Sequence, residues 1–340
     1  MSPHVVRAIG RITAVSAMLV FVAGPSHAQQ RAAPEEVVMA VPGVALTFSA
    51  GYIAEDLGLF DKNGVRVKSV MIAGIGSTNA VISGSADFAQ ISAATLTRAA
   101  ARGQRLLAIA STLNRVTVEL VLRKEFAAGF DPKAPLAQRA RLMRGRTIAV
   151  DSVNSILHAY VLLLARRASY DPNDIRIATM APTSVLAAYA AKQIDGYALS
   201  MPWPLPPVLD GTATLIASGP DGDPADMVPF GHNVVVAKPE TCEKRKSACS
   251  KVGHAFAEAV TYMHEHPVES LALLKKRFAS FDDKLLSAAF GQILKGTPRP
   301  PAVTRADLEN AETYNVDAGL LKAEEKLKSY DGLFTDEYVR

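Results

Sequence analysis

From residue 37 onward the chain switches repeatedly between two hydrophobic periods. Val37-Val38-Met39-Ala40-Val41 is an unbroken apolar run ended by Pro42-Gly43, which predicts a buried first strand. Ser49 to Phe60 spaces Tyr52, Ile53, Leu57 and Phe60 along one helical face, and Asp61-Lys62-Asn63-Gly64 supplies turn chemistry after it. Val65 to Ile72 alternates as a strand, and Gly74-Ile75-Gly76-Ser77 then opens a helix that stops at Gly84. Ala86 to Ile91 reads as a strand, Thr95 to Arg102 as a helix closed by Gly103, and Leu106 to Ala110 as a further strand. Short strand and helix units in alternation predict an α/β fold with mainly parallel sheets flanked by helices.

The same order returns about a hundred residues later. The run Ala80-Val81-Ile82-Ser83-Gly84-Ser85-Ala86-Asp87-Phe88-Ala89-Gln90-Ile91-Ser92 corresponds to Ala188 through Ser200, with helix, turn, aspartate (Asp87, Asp195), strand and terminal serine coinciding. The preceding units match as well. Ile148 to Val150 is a strand, Ser155 to Arg167 a helix, and Asp174 to Ala178 a strand introduced by Asp171-Pro172-Asn173. Two similar lobes follow. Val116 to Arg123 and Asn233 to Ala237 are the extended segments expected to connect them as a two-strand hinge, which permits closure on a ligand. From Lys251 the chain is helical, with Thr304-x-x-Asp307 resembling a capping box. The predicted organisation is a discontinuous first lobe, 35–118 plus 236–340, and a second lobe, 119–235.

Residues 1–28 read as a secretory signal, with Arg7 and Arg11 as the basic part, Ile12 to Ala23 as the apolar part, and Ser26-His27-Ala28 as the cleavage site. Twelve apolar residues fall short of the ~18 or more that a membrane span needs. No cysteine lies near the cleavage site to accept lipid, so a soluble periplasmic protein is expected. Removing residues 1–28 brings the formal charge from +4 to +2, and aromatics make up only 6% of the chain. Neither a phosphate-tracking groove nor a base-stacking platform is indicated, so nucleic acid is excluded as a partner. Cys242 and Cys249 are the only cysteines, and in an oxidising compartment the pair is expected to close a disulfide. A metal site would need further ligands that no recognisable motif supplies.

Four segments together carry a family resemblance. They are Gly51-Tyr52-Ile53-Ala54-Glu55-Asp56-Leu57-Gly58-Leu59-Phe60, Gly84-Ser85-Ala86-Asp87-Phe88-Ala89, Gly145-Arg146-Thr147-Ile148-Ala149-Val150, and Ile194-Asp195-Gly196-Tyr197-Ala198 with Pro202 beyond. In order and spacing the chain resembles the nitrate/sulfonate/taurine branch of periplasmic ABC-transporter solute-binding proteins, which shares its fold with the fungal thiamine-pyrimidine synthases. The resemblance implies a type II two-lobed binding fold, a monomer that delivers a small molecule to an inner-membrane permease and its ATPase, no cofactor and no catalysis. Family members often carry a proline before the tyrosine, whereas residues 42–50 here read Pro-Gly-Val-Ala-Leu-Thr-Phe-Ser-Ala.

In open α/β sheets a ligand binds at the carboxyl ends of the strands, where helix N-termini present free N–H groups. Gly76, Ser77 and Thr78 start such a helix in the first lobe, and Ser152, Asn154 and Ser155 occupy the matching place in the second. Their alternative role is N-capping alone. Ser49, at the opening of the first helix, joins the expected lining. Ser92, followed by Ala93, ends a strand equivalent to that ended by Ser200, followed by Met201, and all face the crevice in this reading. Trp203, the only tryptophan, is expected as an exposed wall that stacks on an organic ligand, or else as a cap on the second lobe's core. No acid is placed in the crevice. Asp87 and Asp195 begin strands, far from the carboxyl ends, and are read as turn residues. His264-Glu265-His266 does not share a helix face and is read as a solvated helix end. Arg115 follows a strand end near the hinge.

An enzyme is the rival class. Gly74-x-Gly76 after a strand has part of a dinucleotide fingerprint, but Asn79 stands where the third glycine belongs. A thiamine-pyrimidine synthase-like enzyme would have to work without that family's cysteine-rich iron segment. The expected cargo is a small organic anion, a sulfonate, taurine-like molecule or aromatic carboxylate. The alternatives are a pyrimidine or other neutral heterocycle, and a ligand-sensing subunit.

Overall fold

The computed structural model describes residues 34–340; the expected signal segment, 1–28, lies outside the described residues. Ten strands form two five-stranded sheets. The first contains β1 (Glu35–Val41), β2 (Val65–Met71), β3 (Phe88–Ile91), β4 (Leu107–Leu113) and β10 (Asn233–Ala237), in the order β2-β1-β3-β10-β4. The second contains β5 (Val118–Arg123), β6 (Thr147–Val150), β7 (Arg176–Thr179), β8 (Gly196–Ser200) and β9 (Ala213–Ser218), in the order β7-β6-β8-β5-β9. Position for position the two orders are the same, so the repeat read along the chain is a repeat of architecture.

Both sheets are mainly parallel, as expected, but each is mixed through one reversed strand. β1 pairs with β2 and β3 in parallel, but β10 runs antiparallel to β3 and β4. β5 likewise opposes β8 and β9. The reason is the crossing. Parallel strands end at the side facing the other lobe, so a strand that enters from that side must run the opposite way. The chain crosses through 114–117 and 219–232, slightly ahead of the expected divisions, because β5 already opens at Val118 and β10 at Asn233.

The central strands β3, β5, β8 and β10 are buried at every residue; of the edges, β2 and β7 are largely half-exposed or exposed, whereas β4 and β9 are mostly buried. Asp87 accepts a hydrogen bond from the Val38 amide at 2.8 Å, and Asp195 accepts the equivalent one from the Thr147 amide at 2.8 Å. Each aspartate thus ties the start of its strand to the neighbouring strand.

Local chemistry explains most helix limits. The apolar face predicted over 49–60 is split into helices Ser49–Asp56 and Leu59–Lys62, because Gly58 sits in the left-handed region with φ 63°. Thr304 and Asp307 form the capping box that opens helix Arg305–Asp317. Cys242 and Cys249 are joined in a disulfide across a Cα separation of 5.5 Å, linking helix Pro239–Lys244 to helix Lys246–Glu265. No helix among the described residues is long and apolar enough to cross a membrane.

The lobes touch at several points. Arg98, buried on helix Ala93–Ala101, donates to the Asn154 carbonyl at 2.6 Å, and Tyr314 on helix Arg305–Asp317 donates its hydroxyl to the Ile156 carbonyl at 2.8 Å. Arg167 forms an ion pair with Asp317 at 2.6 Å. On the connection side, the Leu46 amide donates to the Met201 carbonyl at 2.9 Å.

Candidate ligand-binding site

A cavity of about 440 Å³ lies between the sheets. Its walls come from the segments that follow β1, β2 and β3 in the first lobe and β6, β7 and β8 in the second, that is, from the carboxyl ends of all six parallel strands. Four helices begin on it: Gly76–Ser83, Ala93–Ala101, Ile156–Arg167 and Pro182–Ala190. Their aligned peptide dipoles point positive ends at the cavity, although Pro182 has no N–H and the Ala93, Thr95 and His158 amides already have partners.

Of the residues expected to line the crevice, Ser77, Thr78, Ser92, Ser155 and Trp203 do so. Ser92 and Ser155 also cap their own helices, accepting from the Thr95 and His158 amides at 3.2 Å each, so capping and lining coincide in one side chain. Ser200 lines the cavity opposite Ser92, as the repeat required.

The other expected residues stand outside it. Ser49 is buried and donates its hydroxyl to the Leu46 carbonyl, because the chain turns there before entering the first helix. Gly76 is pressed against the Ile72 side chain. The Ala93 amide is taken up by the Gly231 carbonyl at 2.7 Å. Ser152 packs against Gly74 of the other lobe, where a Cβ would come within 2.8 Å of the Ser152 Cβ. Asn154 is exposed, in the left-handed region with φ 62°, and contributes its carbonyl to Arg98. Met201 is buried in the core of the first lobe.

Two further expectations are corrected. Trp203 is only 7% exposed rather than open to solvent. Its indole N–H donates to the Val44 carbonyl at 2.6 Å, and its ring meets Phe281 edge-on at 5.1 Å, so it clasps the two lobes while showing part of its face to the cavity. An acid is also present: Asp151 lines the cavity. Its Oδ1 accepts from the Ser152 amide at 2.7 Å and from the Ser155 hydroxyl, and burial raises its pKa against the pull of those bonds. Arg115, watched as a hinge cation, donates to the Pro220 carbonyl at 3.2 Å.

Residues at the start of β10 form the floor, which the strand pattern did not reveal. His232 precedes β10 and Asn233 opens it, and this pair of polar residues ahead of an apolar run is itself a signal. His232 Nε2 lies 3.0 Å from Thr117 Oγ1, which lies 3.1 Å from Thr47 Oγ1, so the floor joins both inter-lobe connections. Complete burial lowers the imidazole pKa to about 3, leaving it neutral at physiological pH. Phe48, Ile91, Ile156, Leu157 and Leu199 make the remaining wall apolar. Among the described residues no lysine or arginine lines the cavity, and no group of three or more His, Cys, Asp or Glu side chains is placed to hold a metal ion.

Two α/β sheets of identical strand order, with helix N-termini from both turned onto a cavity between them, define the two-lobed fold of the periplasmic binding protein type. A family model described as NMT1/THI5 like matches residues 46–270. The chain belongs to the NMT1/THI5-like family.

Solved structures share this architecture. A Bordetella bronchiseptica RB50 protein superimposes with a TM-score of 0.77 at 18% identity, covering 90% of this chain and 96% of its own. The alkanesulfonate-binding protein SsuA of Xanthomonas axonopodis pv. citri, bound to MOPS, gives 0.66 at 18% identity over 89% and 97% of the two chains. The periplasmic aliphatic sulphonate binding protein SsuA of Escherichia coli gives 0.61 at 20% identity over 84% and 91%. At such identities the likeness establishes the fold. No curated protein matches the chain by sequence.

Proposed function

We propose that this protein is the periplasmic substrate-binding component of an ABC importer, closing its lobes on a small organic anion and handing it to an inner-membrane permease with its ATPase. The observation that carries this reading is the convergence of four helix N-termini, two from each lobe, on one cavity whose lining holds no lysine or arginine among the described residues. Helix starts and hydroxyls bind oxyanions without a fixed counter-charge, and release them when the lobes part. The similarity to alkanesulfonate- and aliphatic sulphonate-binding proteins supports the same class of cargo. Closure turns on the segments 114–117 and 219–232, and the leader at residues 1–28 places the protein in the periplasm.

Binding is favoured over catalysis because both ionisable side chains on the cavity are held in place. Asp151 is tied by Ser152 and Ser155, and His232 by Thr117.

The test is a thermal-shift screen of the mature protein against alkane- and arylsulfonates, aromatic carboxylates and neutral heterocycles. A ligand at 100 times its dissociation constant stabilises the folded state by about 2.7 kcal/mol. Stabilisation by anions with contraction in small-angle X-ray scattering is the expected result. A response confined to cationic solutes, or binding without contraction, rules the reading out.

A further inference from the structure

The cavity holds one carboxylate and no cation to meet it. Asp151 is half-buried in the lining, and among the described residues no lysine or arginine joins it there. Its Oδ1 accepts from the Ser152 amide at 2.7 Å and from the Ser155 hydroxyl, while Oδ2, on the side of Gly74, receives no hydrogen bond among the described residues.

The groups packed around Asp151 do not supply the missing charge. Arg98, reaching across from the first lobe, is spent on Asn315 Oδ1 at 2.8 Å and the Asn154 carbonyl at 2.6 Å. His158, in the first turn of helix Ile156–Arg167, accepts from the Asn154 amide on Nδ1 at 3.1 Å, and burial together with the Arg98 charge lowers its pKa. His232 on the floor is neutral, and Tyr314 gives its hydroxyl to the Ile156 carbonyl. The lining segments that follow β2 and β7, Ala73-Gly74-Ile75 and Ala181-Pro182-Thr183, carry no ionisable side chain.

Ser155 both holds the carboxylate and caps the helix beside it. Ile156, the first residue of that helix, lies on the cavity, and its amide has no partner among the described residues. An oxyanion received at this helix start stands next to Asp151, and two negative charges side by side in a partly desolvated site repel. A proton on Oδ2 removes the repulsion and turns that oxygen into a donor for the anion. Burial already raises the Asp151 pKa, which makes the protonation easier.

We propose that Asp151 determines which charge the site accepts, and that an anion enters together with one proton, taken from solvent onto Asp151 Oδ2 and shared with the acidic head. Carboxylate, proton and anion become a carboxylic acid hydrogen-bonded to the anion, so the filled site carries the same net charge as the empty one. This assignment rests on the cavity being the site of an anionic solute, as proposed above. It lets the site hold an acid with neither lysine nor arginine in its lining, and it makes capture weaker as pH rises.

The test is isothermal titration calorimetry of the mature protein with butanesulfonate and benzenesulfonate, which stay ionised throughout, from pH 5 to pH 7.5 in amine buffers. While one proton is taken up, affinity falls by up to about tenfold per pH unit, and the apparent heat differs between triethanolamine and Tris in proportion to the protons bound. In Asp151→Asn the Ser152 and Ser155 donors retain the amide oxygen, so a permanent NH2 stands in place of Oδ2. That variant should bind more tightly than the wild type at pH 7.5, with a level pH profile and no buffer-dependent heat. His158→Gln should keep the wild-type slope. A level wild-type profile, an undiminished slope in Asp151→Asn, or a slope that vanishes in His158→Gln overturns the assignment. Should Asp151→Asn fail to fold, the wild-type profile, its proton count and His158→Gln decide. Small-angle scattering with the same sulfonates keeps the two readings apart. Binding with contraction but without proton uptake overturns only this inference, whereas sulfonates that do not bind at any pH overturn the anion reading and this inference with it.

Discussion

Gly74 is the point at which closure is most open to a designed perturbation. It adopts φ +52° on the first lobe, and a Cβ built there would overlap Ser152 Oγ of the second lobe and stand 2.8 Å from Ser152 Cβ. Rotating the serine side chain moves the oxygen but leaves its Cβ in place, so Gly74→Ala cannot be absorbed by one rotamer. Non-bonded carbons sit at about 3.5–4.0 Å, and the lobes must therefore part by about 1 Å at this contact. The hydrogen bond from Arg98 to the Asn154 carbonyl, 2.6 Å long, belongs to the same interface and would stretch beyond useful length. A hydrogen bond to a charged group contributes about 1.5–3 kcal/mol, so the closed state loses roughly 2 kcal/mol and ligand affinity falls about 30-fold. Separately, an alanine in the left-handed region costs about 1–2 kcal/mol whether the lobes are open or closed, which lowers the melting temperature but not the affinity. Titration calorimetry with any bound solute, combined with small-angle scattering of the unliganded protein, separates the two effects. The double variant Gly74→Ala with Ser152→Gly removes both clashing atoms and should recover affinity while remaining less stable. Unaltered affinity in the single variant, or no recovery in the double one, refutes the reasoning.

Three further outcomes follow from the same geometry. Thr78→Val replaces a buried hydroxyl that has no partner in the protein, so unliganded stability in urea should hold or rise by about 1 kcal/mol while affinity for an oxyanion-bearing solute drops about fivefold; a clear loss of stability would mean the hydroxyl is bonded within the fold. Trp203→Phe keeps the ring against Phe281 but loses the N–H donated to the Val44 carbonyl, costing the closed state about 1 kcal/mol. Scattering should show a larger open population, and an unchanged curve argues against the clasp. Burial pushes the Glu119 carboxyl from the ordinary 4.5 up to about 8, so between those values the unfolded chain has released a proton that the folded protein keeps. Stability contributed by the protonated acid is present below that window and lost as pH rises through it; Glu119→Gln should flatten the profile, gaining up to a few kcal/mol near pH 8 and almost nothing near pH 4. Parallel stability profiles for the two proteins would show that Glu119 ionises normally.

Much of the architecture is legible in local pattern. The alternation of periods places the strands, Gly84 and the Thr304-x-x-Asp307 box mark helix limits, and the recurrence of helix, turn, aspartate, strand and serine announces two equivalent lobes. These are short-range choices, in which side-chain spacing and backbone preference act over a few residues and leave their mark on the chain itself. The direction of the fourth strand in each sheet is not such a choice. β5 and β10 look like any buried strand, and only the path of the chain between lobes makes them antiparallel.

The site divides along the same line. Ser77, Thr78, Ser92 and Ser155 could be named because a helix start after a strand carries its own electrostatics. Asn154 and Ser152 share that segment yet face away from the cavity, one turned out by its left-handed backbone and the other spent on Gly74. Asp151 is held by its neighbours Ser152 and Ser155, whereas the roles of His232 and Asn233 depend on Thr117, Gln90 and Thr112, which lie 115, 143 and 121 residues away in sequence. The sequence by itself determined that there are two lobes and which of their ends face the cavity; which side chains meet there was decided by contacts that exist only once both connections have folded back on each other.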